Sequence, residues 1–174
     1  TDGSDWIEAC ANWLRSAVEA GLPVLGICFG HQLLAYALGG QVDDNPSGVE
    51  VGSMPVLLQA GAQQDPLLSA LPEQFVAQLS HRQSVLQLPV RARRLASSQK
   101  EPNQAFAYGD CAWGIQFHPE FDEQIIRHFI DYYRPQLLQE GQDADALVAV
   151  RRPSPLSRAL LLRFATLVRR RYLF

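Results

Sequence analysis

Pro23-Val24-Leu25-Gly26-Ile27-Cys28-Phe29-Gly30-His31-Gln32 is the stretch on which the fold turns. A short apolar run, opened by proline and broken by glycine, suits a buried strand. Phe29 to Leu38 continues with helical periodicity and stops at Gly39-Gly40. Upstream, Asp5 to Ala20 predicts an amphipathic helix. Trp6, Cys10, Trp13 and Ala17 form one apolar stripe, with Ile7, Leu14 and Val18 beside it. Ser4 or Asp5 can cap its start, and Gly21 suits the left-handed position after its end. Helix, strand, sharp turn, helix is the grammar of a parallel α/β sheet.

The turn itself has chemistry. Gly26-Ile27-Cys28-Phe29-Gly30 has the form of a nucleophile elbow, with cysteine at its apex. The reversal is tight enough that side chains at positions 26 and 30 are expected to collide, hence the two glycines. The elbow sets the Cys28 sulfur at a helix N-terminus, which favours the thiolate. The Phe29 N–H points where an oxyanion would develop. A buried structural cysteine in a glycine-rich turn satisfies the same short pattern, so the strand before and the helix after are what favour catalysis.

A base with an orienter is found at His118-Pro119-Glu120. Ala112 to Phe117 predicts a strand, and residues two apart on a strand share a side. Glu120 would then fix the His118 tautomer and stabilise its charged form. The other histidines lack such a carboxylate: His31 lies along the elbow helix, His81 sits in Ser80-His81-Arg82, and His128 is on a helix face.

Between these motifs lie short strands at Val51–Gln59, Gln74–Leu79, Val85–Leu88, Arg94–Ser97 and Gln104–Tyr108, separated by Pro, Gly and Asp-Pro breaks. Asp122 to Leu138 predicts a helix with Ile125, Ile126, Phe129, Ile130 and Tyr133 inward, and Pro135 disturbing its last turn. Residues 139–155 read as a linker and 156–174 as a basic C-terminal helix, leaving 1–138 as the main domain. In that last helix Leu156, Leu160, Phe164, Leu167 and Tyr172 can form one apolar face. Docking on the acidic body is expected of it, rather than membrane contact.

The 174 residues, 47% hydrophobic and 19% charged, fit one globular domain. The net charge of −3 hides seven arginines and no acid after position 150. The remainder is strongly acidic, which argues against nucleic acid. Three widely spaced cysteines, Cys10, Cys28 and Cys111, make neither a disulfide framework nor a metal motif. No metal and no cofactor is expected, and with no export signal the expected location is cytoplasmic.

Taken together, Pro23 to Ala35, Gly39-Gly40, Glu50-Val51-Gly52 and Gly114-Ile115-Gln116-Phe117-His118-Pro119-Glu120 resemble the class I, triad-type glutamine amidotransferase family, most closely its stand-alone members similar to the amidotransferase domain of GMP synthase. The resemblance covers Thr1 to Tyr133. It implies a flavodoxin-like, doubly wound and mostly parallel sheet with an added antiparallel segment. It also implies glutamine amide hydrolysis: Cys28 as nucleophile through a γ-glutamyl thioester, His118 as acid and base, Glu120 as orienter, and Phe29 N–H as oxyanion donor. Gln32, Ser80 and His81 match substrate-binding positions. The released ammonia would need an acceptor protein.

Two departures stand out. The family commonly shows Ser-His-x-Asp where this chain has Ser80-His81-Arg82-Gln83, so a γ-glutamyl peptidase or hydrolase on the same scaffold is the alternative. The family also has strands and a glycine-rich loop before its first helix here. The chain is therefore expected to be an N-terminally incomplete domain, poorly soluble and nearly inactive alone, and a catalytically incomplete fragment is a further alternative.

Overall fold

The computed structural model describes residues 5–172, with Tyr172 described by its backbone alone. The cap at Ser4 and the side chain of Tyr172 lie outside the described residues. Among the described residues there are five α-helices: α1 (Asp5–Glu19), α2 (Phe29–Ala37), α3 (Glu123–Gln139), α4 (Ala144–Ala149) and α5 (Pro155–Tyr172). The strands are β1 (Val24–Ile27), β2 (Gln41–Asp44), β3 (Glu50–Leu58), β4 (Gln74–His81), β5 (Gln83–Gln87), β6 (Ala92–Ser97), β7 (Ala105–Tyr108) and β8 (Ala112–Ile115).

Six strands form one sheet in the order β1-β8-β7-β6-β3-β4, and β2 pairs with β5 separately. Only β1 and β8 run parallel; every other pair is antiparallel. The flavodoxin-like, mostly parallel sheet is therefore overturned, and the fold is α/β with a mixed, mostly antiparallel sheet. The reason lies between Glu50 and Ile115, where six strands follow one another with no α-helix among them. Parallel neighbours need a crossover, usually helical, and this stretch has none to offer. The helix–strand–turn–helix grammar holds only where β1 and α2 meet β8.

Three groups of buried side chains anchor the elements. Leu79, Ile115, Phe117 and Trp113 form the largest, and α5 closes it with Leu160, Phe164 and Leu167. Val49 and Val51 of the β3 side pack on Ile126, Ile130 and Leu137 of α3, with Ala144 of α4. Leu34 and Ala35 of α2 pack on Val85, Phe106 and Ala112. The stretch 139–155, read as a linker, contains α4, capped by the Asp143 carboxylate.

One local expectation is corrected in part. Of the predicted α1 stripe, Ala17 is buried, as is Ala11 beside it, whereas Trp6, Cys10 and Trp13 are exposed. Pro135 lies inside α3, which ends at Gln139, one residue beyond the expected Leu138. A proline removes one N–H from the ladder, and packing of Leu137 in the core holds the turn beyond it.

Candidate active site

The elbow begins with a constraint on Gly26. A Cβ there would fall 2.4 Å from the carbonyl oxygen of Gly30, a backbone clash with no relief. Gly30 differs: a Cβ added to it meets nothing within 4 Å. The expected two-sided collision is therefore one-sided. Cys28 takes the strain of the reversal at φ 50, ψ −105, the only non-glycine residue with positive φ among the described residues. Such backbone strain concentrates at functional sites. The Cys28 N–H donates to Ile115 O at 2.9 Å, which ties the elbow to the end of β8. Phe29 opens α2, so its N–H has no acceptor within the helix. Its ring is exposed and lies 5.7 Å from that of Trp6.

His118 and Glu120 do meet, though not on a strand. β8 stops at Ile115, and the three residues His118-Pro119-Glu120 form a turn beyond it. A single bridge, His118 N–H to Gln78 O at 2.8 Å, pins that turn against β4. His118 Nδ1 lies 2.7 Å from Glu120 Oε1. The imidazole stacks on Phe121, centroids 3.9 Å apart and planes 7° apart, and Phe121 stacks in turn on Phe129. Turn geometry, not the strand pleat, brings histidine and carboxylate together.

The Cys28 side chain also acts on this imidazole and favours its protonated form. Burial opposes its protonation, but the hydrogen bonds and attraction from Cys28 and Glu120 outweigh this and push its pKa up to about 9. Burial pulls Glu120 the other way as well, and its bond to His118 still leaves it below the usual carboxylate range. His31 is the contrary case. Full burial drives it down to about 3, so it is a neutral core residue. His128 is exposed on α3 and bonds Gln124 O.

Beside the sulfur is a depression of about 290 Å³. Cys28 and Gln32 form one wall, the β4–β5 corner from Ser80 to Gln83 the other, and Tyr133 of α3 stands at its side. Ser80 enters through its main chain: its carbonyl is 3.8 Å from the Cys28 sulfur. The His81 imidazole turns inward instead, onto Glu50 Oε2 at 3.0 Å and Gln83 O at 2.9 Å. Arg82 at the corner is paired with Asp44 at 2.7 Å. A larger hollow of about 500 Å³ lies between α1, the β7–β8 turn and α5. It holds no comparable group: Arg15 there bonds the last carbonyls of α2, and Cys111 faces Val18 O.

Gln116 was not singled out from the sequence. It is fully buried, donates to the Cys28 sulfur at 3.5 Å and accepts from Gln32 Nε2 at 3.0 Å. Phe121 also escaped notice, and Tyr133 was read only as part of the inward face of α3. The signal available for Gln116 was a polar residue in an otherwise apolar run, two positions before the His-Pro-Glu turn. Among the described residues, no three His, Cys, Asp or Glu side chains gather as a metal site. No helix among them is long and apolar enough to cross a membrane.

The model of the family "Glutamine amidotransferase class-I" matches residues 2–130. γ-Glutamyl peptidase 5 of Arabidopsis thaliana is 33% identical over 143 residues, covering 81% of this chain and 57% of that protein. A glutamine-hydrolyzing GMP synthase of Aeropyrum pernix is 39% identical over 127 residues, covering 72% of this chain and 23% of the synthase. The chain thus spans less than two thirds of either relative. A solved glutamine amidotransferase from Thermotoga maritima superposes with a TM-score of 0.74 at 27% identity, over 93% of this chain and 69% of that one.

Proposed function

Since the chain belongs to the class-I glutamine amidotransferase family, we propose that it hydrolyses the side-chain amide of glutamine at Cys28. The observation that carries this reading is the His118 imidazole, held by Glu120 at 2.7 Å and favoured in its protonated form by both Glu120 and Cys28. A base pushed up to about 9 is an imidazolium at neutral pH, beside a sulfur that is nucleophilic as thiolate.

The Cys28 thiolate adds to the γ-carbonyl carbon. The electron pair moves to oxygen, and the Phe29 N–H at the helix start donates to that oxyanion. His118 then passes its proton to the leaving nitrogen as the C–N bond breaks. Ammonia departs and a γ-glutamyl thioester remains on Cys28. Neutral His118 next takes a proton from water, hydroxide adds to the thioester, and the proton returns to sulfur as glutamate leaves. Glu120 holds the imidazole plane and offsets its charge, assisted by the Phe121 stack. Gln32 and the Ser80 main chain border the substrate, and ammonia passes to an acceptor protein.

A γ-glutamyl peptide is the second reading. The same thioester forms, but an amine or amino acid leaves in place of ammonia. Gln83 favours it, because a neutral amide stands where the resemblance places an acid that would meet the substrate ammonium. The test is direct: L-glutamine and a γ-glutamyl dipeptide are each incubated with the full-length protein and with Cys28→Ser. Ammonia release from glutamine that Cys28→Ser abolishes supports the first reading. Turnover of the dipeptide alone supports the second, and turnover by Cys28→Ser would sink both.

A further inference from the structure

Glu50 and His81 are register partners across the β3–β4 ladder. Their side chains meet inside the protein, only 4% and 1% exposed. Both ring nitrogens of His81 face acceptors: Nδ1 lies 2.9 Å from Gln83 O, and Nε2 3.0 Å from Glu50 Oε2. The Glu50 carboxylate also accepts from Ser98 Oγ at 2.7 Å and from Gln104 Nε2 at 2.9 Å. Ser98 Oγ itself accepts from the Glu101 N–H, so its one proton is directed at Glu50. One ring nitrogen of His81 is thus tied to the carboxylate and the other to the Gln83 carbonyl. A buried ion pair is weak evidence for stability, because desolvation offsets its attraction. Its worth here lies in what it orients.

We infer that the Glu50–His81 pair is a positioning device: it holds the Gln83 carbonyl in place, and through it the Gln32 and Gln116 amides beside the Cys28 sulfur. Gln83 O accepts from His81 and also from Gln32 Nε2, at 2.9 Å. The second Gln32 N–H goes to Gln116 Oε1 at 3.0 Å. A reversed Gln32 amide would place its oxygen against two acceptors, so only one orientation is stable. With both N–H groups used, Gln32 offers a ligand nothing but an acceptor, Oε1. Gln116 is fixed in the same way. Its oxygen takes the Gln32 proton, so its Nε2 must face sulfur, 3.5 Å away. Glu50 and His81 touch no reacting atom in this scheme and act through Gln83, Gln32 and Gln116.

The inference rests on Cys28 and its pocket being the site proposed above, and its test separates the two. Side-chain NMR of the full-length protein reads the His81 ring nitrogens and the Gln32 amide protons directly. In the parent, both ring nitrogens are hydrogen-bonded and both Gln32 protons exchange slowly. In Glu50→Gln, the Nε2 signal shifts and the Gln32 protons lose protection. With L-glutamine or a γ-glutamyl dipeptide, KM rises at least about tenfold while kcat stays within about threefold, and Glu50→Asp recovers part of the loss. His81→Gln supplies the Gln32 and kinetic readouts should Glu50→Gln fail to fold. Unchanged Gln32 signals in either folded variant, or a fall in kcat alone, overturn the inference. A parent that turns over neither substrate defeats the proposed function, and the NMR result still decides the role of the pair.

Discussion

His118 Nδ1 lies 2.7 Å from Glu120 Oε1 in a turn that only Pro119 separates. The carboxylate helps to push the imidazole up from 6.5 to about 9 against the effect of burial. Glu120→Gln keeps an acceptor but removes the charge, so the imidazolium loses its proton at lower pH. The alkaline limb of kcat/KM is expected near pH 9 and should move about one unit toward acid in the variant. Because the folded-state value is raised, the stability from His118 is full below 6.5 and lost as pH rises through about 9. The stability gap between parent and variant, measured by urea unfolding, should therefore close across that window. An unmoved limb would remove Glu120 from the unit.

The elbow glycines should separate cleanly. Gly26→Ala sets a methyl 2.4 Å from the Gly30 carbonyl, so the elbow must open. A loss of about 1–3 kcal/mol is expected from such overpacking, with most of the activity. Gly30→Ala meets open space in the first turn of α2 and should be neutral or stabilising by up to about 1 kcal/mol. Equal damage from both would show that the reversal has been misread.

Gln116→Leu removes a donor to the Cys28 sulfur and leaves a Gln32 N–H unpaired in the interior. About 1–3 kcal/mol of stability should be lost. Turnover should fall further than thermal melting alone explains. Parent-like kinetics in a folded Gln116→Leu protein would confine this residue to packing.

The cysteines should react by environment. A glutamine-mimicking chloroketone is expected to label Cys28 alone, since it must first occupy the pocket. A small maleimide should also modify Cys10, which is exposed on α1, and spare Cys111, which is buried. Mass spectrometry of the digested protein distinguishes these outcomes. Chloroketone on Cys10 in preference to Cys28 would contradict the assignment.

α5 is fastened by its inner face and by Arg163, whose guanidinium reaches Leu67 O at 2.8 Å and Pro66 O at 2.9 Å. Leu160 is fully buried in the main core. Leu160→Ala should cost about 2–5 kcal/mol, read by denaturant unfolding. A cost near zero would mean that the helix is not docked there in solution.

How much of this was legible in the sequence follows from how local each signal is. The elbow was legible because Gly26, Cys28 and the helix start are neighbours in the chain. The His118–Glu120 pair was legible by spacing, although the reason given, a shared strand face, was mistaken and a turn supplies the proximity. Glu50 with His81, and Gln116 with Gln32, were not. Those pairs exist only once strand register and sheet order are set, and nothing local fixes that β8 lies between β1 and β7. The outward face of α1 was misjudged for a related reason. A stripe of Trp6, Cys10, Trp13 and Ala17 looks like a core face by periodicity, whereas only Ala17 of it is buried.

Trp113 has a consequence of another kind. Its indole N–H donates to both oxygens of the Asp65 carboxylate at 3.1 Å, and its ring meets the edge of Phe164 with centroids 6.2 Å apart. It is 4% exposed, whereas Trp6 and Trp13 are 53% and 68% exposed. With those two replaced by phenylalanine, these 174 residues would carry a single tryptophan, seated between α5 and the sheet. Its emission would move to the red when α5 lifts and admits water to the indole. The colour of one ring would then follow a motion that leaves the elbow and its turn untouched.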